Sequence, residues 1–247
     1  MRRLIGLDPA DPRRGLAIDE ALLEAAHGKG REAMRLWVND RAVVVGRSQR
    51  VRDEVDLAFA SRRNVPILRR VSGGGTVYHY PGNLNVSVVL DGGPGTGSVR
   101  ETFRLFGEAI ADALGRIQPA IVSEGNCLLL DGAKVGGAAQ ARRGDALLYH
   151  TTLLVRPADL PMEKLLLAMR PRYRPGRVPS RPCPTVSLEE AVGGDVSMEE
   201  VAARVVRTLS DLLGGPPREG RLTAAESARA ERLAREKYGD EAWNRSI

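Results

Sequence analysis

The segment RRVSGGGTVYHYPGNLNVSVVL, residues 69–90, constrains the fold of this chain more than any other. Three consecutive glycines cost backbone entropy, so the chain needs a backbone without side chains at this place. The Walker A loop needs a Lys-Ser or Lys-Thr pair that closes a longer glycine loop, and the glycines of the dinucleotide fingerprint open a helix. Here the alternating residues after the glycines indicate a strand. The glycines therefore serve a different purpose, at the mouth of a sheet.

The elements around this segment indicate an α+β fold. Apolar spacing predicts an amphipathic helix over residues 15–30, and the pair Ser98 and Glu101 predicts a helix start before residue 99. Strands are predicted over AMRLWVND, RAVVVGRSQ, VPILRR, TVYHY, LNVSVVL, PAIVS, NCLLLD and ALLYHTTLLV. Turns are predicted at Asn39-Asp40 as a hairpin, at Asp131-Gly132 and around Gly144. Because hairpins and helices are interspersed, a mixed, largely antiparallel sheet flanked by helices is expected.

The character of the chain changes after Val155. A short helix is predicted over DLPMEKLLLAMR, followed by the basic, proline-rich loop PRYRPGRVPSRPCP. Capping-box pairs then predict three helix starts, at Ser187 with Glu190, Ser197 with Glu200, and Thr223 with Glu226. The sequence thus predicts a single domain over residues 1–247, with a sheet core at 1–157 and a helical carboxy-terminal section at 158–247.

Composition narrows the function classes only in part. A net charge of +6 and a pI near 9.7 are compatible with nucleic acid, with phosphates or with an acidic protein partner. Aromatic residues make up only 4%, which disfavours nucleic acid as a partner. Two cysteines, Cys127 and Cys183, are too few for a disulfide scaffold or a cysteine-based zinc site. Without a signal sequence or an apolar run of membrane-spanning length, a cytoplasmic protein that does not contact the membrane is expected.

Two constellations could carry chemistry. Backbone N–H groups of Gly73 to Gly75, beside Arg70, suit a phosphate or a carboxylate, although a glycine bulge between crossing strands explains the triplet equally well. Lys134 is one of only four lysines and stands between a glycine turn and Gly136-Gly137. A lysine in an arginine-rich chain indicates a need for a compact point charge. The alternative is an ordinary hairpin lysine.

These residues together carry a resemblance to a known family. RRVSGGGTVYHYPGNLNVSVV and GAKVGGAAQARRGDALLYHTTLL, with GLAIDEALL and GRSQ before them, resemble the lipoate–protein ligase A family of the biotin/lipoate A/B protein ligase superfamily. The resemblance runs in register from about residue 4 to residue 155. It extends more weakly to REKYGDEAWN, which is similar to the end of the archaeal form, in which the catalytic part is a separate large subunit.

The resemblance implies a fold and a reaction. The fold is that of biotin and lipoate ligases, which is similar to class II synthetases. Lipoate attacks the α-phosphate of ATP, with Mg²⁺ present, to give lipoyl-AMP and pyrophosphate. The lipoyl group then passes to a lysine of a carrier domain, which is an E2 component of a 2-oxoacid dehydrogenase or the glycine cleavage H protein. The carboxy-terminal accessory domain of many family members is not expected in this chain, so a separate small accessory subunit is also implied.

The resemblance assigns roles to particular residues. Lys134 falls on the family's lysine, a fixed charge that contacts the acyl carbonyl and the adenylate phosphate. Binding of substrate and nucleotide is expected at Arg70, Gly73, Gly74, Gly75, Thr76, Val77, Tyr78, Asn126, Gly136 and Gly137. Cys127 and Tyr80 stand where the family has acids, so no metal ligand is predicted. His79 and His150 are interpreted as hydrogen-bonded core histidines.

Alternatives remain open at this point. An octanoyl or lipoyl transferase of the same fold would work without ATP and through a cysteine nucleophile, for which Cys127 and Cys183 are the candidates. A second alternative is a non-catalytic module that binds a lipoyl group or a nucleotide. A basic nucleic-acid binder is the third, although the chain has no recognisable motif for it.

Overall fold

The fold is described from a computed structural model, which covers the backbone of residues 2–93 and 96–246 and the side chains of those residues apart from residues 7–10. The strands are β1 (Arg3–Ala10), β2 (Ala33–Asn39), β3 (Ala42–Val45), β4 (Ile67–Arg69), β5 (Val77–His79), β6 (Asn83–Asp91), β7 (Val122–Glu124), β8 (Cys127–Leu130), β9 (Ala133–Arg143), β10 (Ala146–Leu154) and β11 (Arg218–Glu219). The helices are α1 (Pro12–Ala26), α2 (Val51–Glu54), α3 (Leu57–Arg62), α4 (Val99–Gly115), α5 (Met162–Leu165), α6 (Leu188–Val192), α7 (Met198–Leu212), α8 (Ala224–Glu236) and α9 (Glu241–Arg245), and a 3₁₀ turn spans Leu167–Met169.

Two sheets organise the described chain. Eight strands form a mixed sheet in the order β11-β1-β2-β6-β10-β9-β8-β7, in which β1 runs parallel to β2 and β11 and all other neighbours are antiparallel. The second sheet has the order β4-β3-β5, with β3 parallel to β4 and antiparallel to β5. The expected α+β fold with a mixed, largely antiparallel sheet and flanking helices is confirmed.

Strand β6 shows how the sequence places the helices and the cavity. Val86 and Val88 point to the face that α4 and α7 cover, where they join the larger apolar core. Asn85 and Ser87, which alternate with these valines, are buried polar residues on the opposite face. Alternation with period two forces this separation. Along β6, one face of the sheet is therefore apolar, whereas the other, beneath α1, carries polar groups.

The second face is covered by α1 and α8, which pack against each other. Leu16 and Leu22 of α1 join Leu233 of α8, the sheet residue Leu148 and Val44 of the small sheet in one apolar cluster. A third cluster lies between the small sheet and α2, α3 and α5. Elements of the carboxy-terminal section therefore contact both the large and the small sheet.

The predicted helix starts are confirmed at their capping residues. The side chains of Ser98, Ser187, Ser197 and Thr223 each accept a hydrogen bond from the backbone N–H three residues on. Reciprocal capping boxes, in which the glutamate also accepts from the cap residue, are present at α6 and α8. Such caps satisfy N–H groups that the first turn of a helix leaves unpaired.

Two strand predictions were wrong or incomplete. Asn39-Asp40 is not a hairpin turn, because β2 lies in the large sheet and β3 in the small one. Both edges of β2 are occupied, by β1 and β6, so β3 has no edge to pair with. Strand β9 was missed because it consists largely of glycines and alanines, and Val135 is its one β-branched residue. In the described chain, no helix is both long and apolar enough to cross a membrane.

Candidate active site

A cavity of about 360 Å³ opens between the two sheets. Buried apolar side chains, among them Leu16, Trp37 and Val44, lie at its floor. Its exposed lining residues form the mouth, where Arg181 lies 3.3 Å from Glu124; the others are Asn126, Gly132, Pro182 and Pro184. The volume and the apolar lining are typical of a site for a small organic molecule.

Arg70 lies beneath the glycine triplet and holds its shape. Its Nη2 donates to the carbonyl oxygens of Gly73 (2.5 Å) and Gly75 (2.7 Å), its Nη1 to that of Val44 (3.1 Å) and its Nε to Ser72 Oγ (3.0 Å). Four of the five N–H groups of the guanidinium are therefore used within the protein. Burial lowers the pKa of Arg70 to about 10, so the group stays charged at neutral pH. Arg70 thus presents the turn and supplies a buried positive charge.

At three positions near the turn, the structure shows why the residue is a glycine. Gly74 has φ of +83°, a conformation that residues with a side chain rarely adopt. A Cβ on Gly75 would lie 3.0 Å from Ser180 Oγ, and one on Gly46 would collide with the carbonyl oxygen of Gly74. The bare backbone is therefore needed for close contact between three chain segments.

Lys134 stands at the start of β9, on the far side of the cavity. Its backbone is fastened to the proline-rich loop, since its N–H donates to Pro184 O (2.7 Å) and its carbonyl accepts from Val186 N–H (3.1 Å). Its side chain crosses Gly137, where an added Cβ would clash with Lys134 Cε and Nζ. No carboxylate of the described chain lies within 4.0 Å of the ammonium group. An unpaired positive charge at a cavity wall suits an anionic ligand.

A smaller pocket of about 80 Å³ adjoins the larger cavity and shares Lys134, Thr76 and Val77 with it. Its other walls are mostly apolar and include Tyr78 and Leu166. Lys134 therefore stands where the two chambers meet.

The structure brings most of the predicted site residues together. Lys134, Arg70, Gly75, Thr76, Val77, Asn126 and Gly137 line the larger cavity. Tyr78 and Gly136 line the smaller pocket. Gly73 and Gly74 line neither chamber and are tied to the site through Arg70.

Sequence reasoning missed a hydrogen-bonded cluster centred on Ser180. Ser180 Oγ donates to the buried Glu54 (2.5 Å) and accepts from the backbone N–H of Thr76 (2.8 Å) and from Gln49 Nε2 (3.2 Å). Gln49 Oε1 in turn accepts from Gly46 N–H and Thr76 Oγ1. The GRSQ segment was part of the family resemblance, but no signal in the proline-rich loop singled out Ser180.

The two histidines are hydrogen-bonded as interpreted, and both line the cavity. His79 Nδ1 pairs with Asn39 Nδ2 (2.9 Å), and burial lowers its pKa to about 3. His150 joins Ser72 Oγ (2.7 Å) to Asp19 (3.3 Å).

Asp19 is buried beneath His150 and anchors this network. Its carboxylate binds Arg35 Nη1 (2.8 Å) and accepts from Ser87 Oγ (2.7 Å). Burial raises the pKa of Asp19, but the hydrogen bond from His150 and the charge of Arg35 lower it more, so the pKa lies below its ordinary value. A fixed, ionised network therefore orients the polar side chains in this part of the cavity wall.

The departures from the family pattern have different consequences. Cys127 is buried and lines the larger cavity, whereas Cys183 is half-buried and lines both chambers. Tyr80 lines neither chamber; it is buried in the third apolar cluster, with its hydroxyl donating to Arg156 O (2.7 Å). Among the described residues there is no group of three or more His, Cys, Asp or Glu side chains placed to hold a metal ion.

An apolar cavity that carries an unpaired ammonium group and a guanidinium-held backbone turn suits an acid with an apolar tail. The sequence profile of the lipoyl protein ligase A/B catalytic domain matches residues 11–210. The chain belongs to this family.

Individual proteins are similar to this chain over nearly its whole length. A bi-partite lipoate protein ligase from Thermoplasma acidophilum, solved in a study that includes its E2 lipoyl domain, superposes with a TM-score of 0.84 at 31% identity, with 99% of this chain and 95% of that chain covered. A lipoate-protein ligase A bound with ATP superposes with a TM-score of 0.83 at 31% identity, with 98% of each chain covered. The octanoyltransferase LipM of Kyrpidia tusciae is 30% identical, over 98% of this chain and 97% of LipM.

Proposed function

We propose that this protein is the large, catalytic subunit of a lipoate–protein ligase. It activates lipoate with ATP to lipoyl-AMP and transfers the lipoyl group to a lysine of a carrier domain. The observation that carries the proposal is the position of Lys134, whose unpaired ammonium group faces the same cavity as the turn held by Arg70. The ATP and the E2 lipoyl domain studied with similar proteins support the same reaction.

The two chambers suit the two substrates. The lipoyl tail is a hydrophobic rod, and the larger chamber with Leu16, Trp37 and Val44 at its floor offers it an apolar site. The nucleotide would lie along Gly75 to Tyr78, a segment that runs from the larger cavity to the smaller pocket, and would extend beyond that pocket, whose volume is about 80 Å³. The carboxylate of lipoate and the α-phosphate of ATP then meet beside Lys134. Cations and N–H groups are needed there because both reactants are anionic.

Lys134 would act by charge in both steps. When the carboxylate oxygen attacks the α-phosphorus and pyrophosphate leaves, the ammonium group stabilises the negative charge on the phosphate oxygens. When the amine of the carrier lysine attacks the acyl carbonyl and AMP leaves, the same group stabilises the developing oxyanion. Arg70 would act as a positioning residue, since its guanidinium donates hydrogen bonds to the carbonyl oxygens of the turn that faces the adenylate.

Mg²⁺ would enter with the phosphates of ATP as part of the nucleotide substrate. The one carboxylate that lines the larger cavity is Glu124, whose side chain is 60% exposed and lies 3.3 Å from Arg181. The smaller pocket adds the buried Glu54, which already accepts hydrogen bonds from Tyr173 and Ser180. In the described part of the chain, the two chambers thus offer one exposed carboxylate to the ion. This suits Mg²⁺, which keeps several waters and is commonly held by one or two carboxylates together with substrate phosphates.

The proposed reaction indicates which protein partners and which cellular compartment to expect. The acceptor is a lipoyl carrier, which is an E2 component or the H protein, and a separate small subunit assists activation. The catalytic unit is the whole of residues 1–247 as one domain. Two unpaired cysteines, Cys127 and Cys183, agree with a cytoplasmic protein.

A second candidate function is supported by Cys183. Its thiol lies in the proline-rich loop, lines both chambers together with Lys134 and contacts the carbonyl oxygen of Gly132 (3.5 Å). A thiolate there could take an acyl group from a thioester donor without ATP and pass it to the carrier lysine. The similarity to an octanoyltransferase keeps this candidate open.

One experiment separates the two. Pyrophosphate release and carrier lipoylation are measured with ATP and lipoate, with and without the small subunit. Lys134→Ala should lower the activation rate a hundredfold or more, equivalent to about 3–4 kcal/mol of barrier, while circular dichroism shows a folded protein. Lys164→Ala, an exposed lysine distant in sequence, is the matched control and should leave the rate unchanged.

Cys183→Ser should retain ATP-dependent lipoylation. Near-normal turnover by Lys134→Ala would refute the proposed role of the lysine. Acyl transfer from a thioester without ATP that is lost in Cys183→Ser would establish the second candidate instead.

A further inference from the structure

Two short segments account for the net positive charge of this chain. Residues 46–54 contain three arginines and two carboxylates, and residues 170–186 contain five arginines and no carboxylate. Together the two segments carry a net charge of +6, which equals the net charge of the entire chain. The remaining residues are therefore neutral overall, so the basic pI is a property of these segments and not of the general surface.

The fold joins these segments at the mouth of the cavity. Tyr173 Oη donates to Glu54 (2.7 Å), Gln49 Nε2 donates to the carbonyl oxygen of Val178 (3.2 Å), and a Cβ on Gly176 would clash with Asp53. The second segment then continues into Arg181 to Pro184, which form part of the mouth. We call the two segments together the arginine rim.

Most of the rim charge has no partner inside the protein. Three of its arginines are close to carboxylates: Arg170 to Asp56 (2.9 Å), Arg181 to Glu124 (3.3 Å) and Arg52 to Asp53 (4.0 Å). The other five are exposed and make no ion pair within the described part of the chain; they are Arg47, Arg50, Arg172, Arg174 and Arg177. Both carboxylates of the first segment face inwards, because Glu54 is buried and Asp53 is half-buried.

We propose that the arginine rim is the docking surface for an acidic face of the carrier protein, next to the lysine that receives the acyl group. The inference rests on the proposed function. A protein whose lysine enters the cavity must bring the surface around that lysine against the mouth, and the rim forms part of it. A carboxylate-rich face is complementary to five unpaired guanidinium groups, which form bidentate pairs with carboxylates.

Two other ligands fit the rim less well. The triphosphate of ATP must reach the glycine turn and Lys134, whereas Arg172, Arg174 and Arg177 lie outside both chambers. RNA is usually held by stacking of bases on aromatic side chains as well as by charge. The aromatic residue in the rim is Tyr173, and its hydroxyl is tied to Glu54.

The test reverses charge on the part of the rim that is remote from the cavity. The triple variant R172E/R174E/R177E is compared with R31E/R207E/R232E, which changes the net charge equally at exposed arginines elsewhere. The acceptor is the apo form of an E2 lipoyl domain. At low ionic strength the rim variant should raise the KM for this domain at least tenfold with little change in kcat, and the control variant less than threefold. Pyrophosphate release without acceptor should be unchanged in both, and 0.5 M salt should remove most of the difference.

A second measurement tests for direct contact. Carboxylates of the acceptor near its lysine are replaced by lysines, and this acceptor should be used better by the rim variant than by the wild type. Equal KM changes in the two triple variants, or none in either, would overturn the docking role. Loss of pyrophosphate release in the rim variant would assign the arginines to the nucleotide, and RNA binding with an unchanged KM would assign them to RNA. If the wild type released no pyrophosphate, the proposed function would fall, and the docking role with it.

Discussion

At the residue scale, the three glycines of the triplet differ in how strongly the structure requires a residue without a side chain. Gly74 needs a positive φ, and Gly75 needs room for Ser180, whereas a Cβ on Gly73 would meet nothing within 4 Å. Elsewhere in the cavity, Gly137 likewise leaves space for the side chain of Lys134. Glycines, which have no side chain, therefore shape the site together with the charged groups that border it.

This difference predicts unequal effects within the triplet. Gly74→Ala should lower the free energy of unfolding by about 1–2 kcal/mol, because an L-residue is strained at positive φ. It should also slow lipoate activation, because the new Cβ would lie 3.1 Å from Arg70 Nη2 and displace the guanidinium that holds the turn. Gly73→Ala is the matched control and should stay within about 0.5 kcal/mol of the wild type. Urea unfolding and pyrophosphate release measure both effects, and equal losses in the two variants would contradict this account.

At the element scale, the carboxy-terminal helix α9 is attached to the site through Arg69, whose backbone forms hydrogen bonds with the side chains of Trp243 and Asn244. The guanidinium of Arg69, at the end of β4, is bonded entirely to carbonyl oxygens. These acceptors are Gly46, Arg47 and Gln49 on one side and Trp243, Asn244 and Ser246 on the other, at 2.6–3.3 Å. The tail thus stabilises the segment 46–49, which contacts the glycine turn through Gly46.

We expect Arg69→Lys to weaken this attachment. A lysine has three donors on one nitrogen and cannot reach carbonyl groups on both sides, so several buried acceptors would lose their partners. The free energy of unfolding should fall by about 2–3 kcal/mol in urea titrations, the usual cost of unsatisfied buried groups. Arg232→Lys, at an exposed position on α8, serves as the control and should cost almost nothing. A rise in the KM for lipoate would show that the tail also positions segment 46–49.

At the scale of the whole molecule, the cavity exists because two sheets meet under one helix. Helix α1 covers the polar face of the large sheet, and the small sheet closes the space from the side. This arrangement buries ionisable groups, among them His79 and Asp19, next to a solvent-filled cavity. Global stability therefore depends on pH through groups that the site requires.

His79 predicts the direction of this dependence. Burial lowers the pKa of His79 to about 3 in the folded protein, whereas the unfolded chain takes up a proton near pH 6.5. The unfolded state thus binds more protons between these values, so stability is lost as the pH falls below 6.5. From pH 7 to pH 5 the free energy of unfolding should drop by about 2 kcal/mol from this group.

The variant His79→Gln tests this assignment. Its stability can be lower at both pH values, but the loss between pH 7 and pH 5 should largely disappear. The shifted carboxylates contribute little in this range, since the stability from their lowered pKa values is lost mainly as the pH falls below about 4.5, the pKa of an unfolded glutamate. An unchanged pH dependence in the variant would show that another group is responsible.

The sequence alone was sufficient for much of the fold and of the site. Capping residues placed α4, α6, α7 and α8, and two separated motifs pointed to Arg70, the glycines and Lys134. It failed at β9, whose small residues carry no strand signal, and at the connection from β2 to β3. It also missed Ser180, because a serine in a proline-rich loop becomes part of a site only when that loop returns to the glycine turn.

What the sequence determined by itself is local. The alternation of β6, the caps and the glycines with positive φ follow from backbone sterics and hydrogen bonding within a few residues, and the net charge follows from composition. What only the tertiary structure decided is which distant groups meet. Lys134 and Arg70, the two halves of the arginine rim, and the tail with Arg69 are brought together by strand order and by the burial of apolar faces, which depend on contacts across the whole chain.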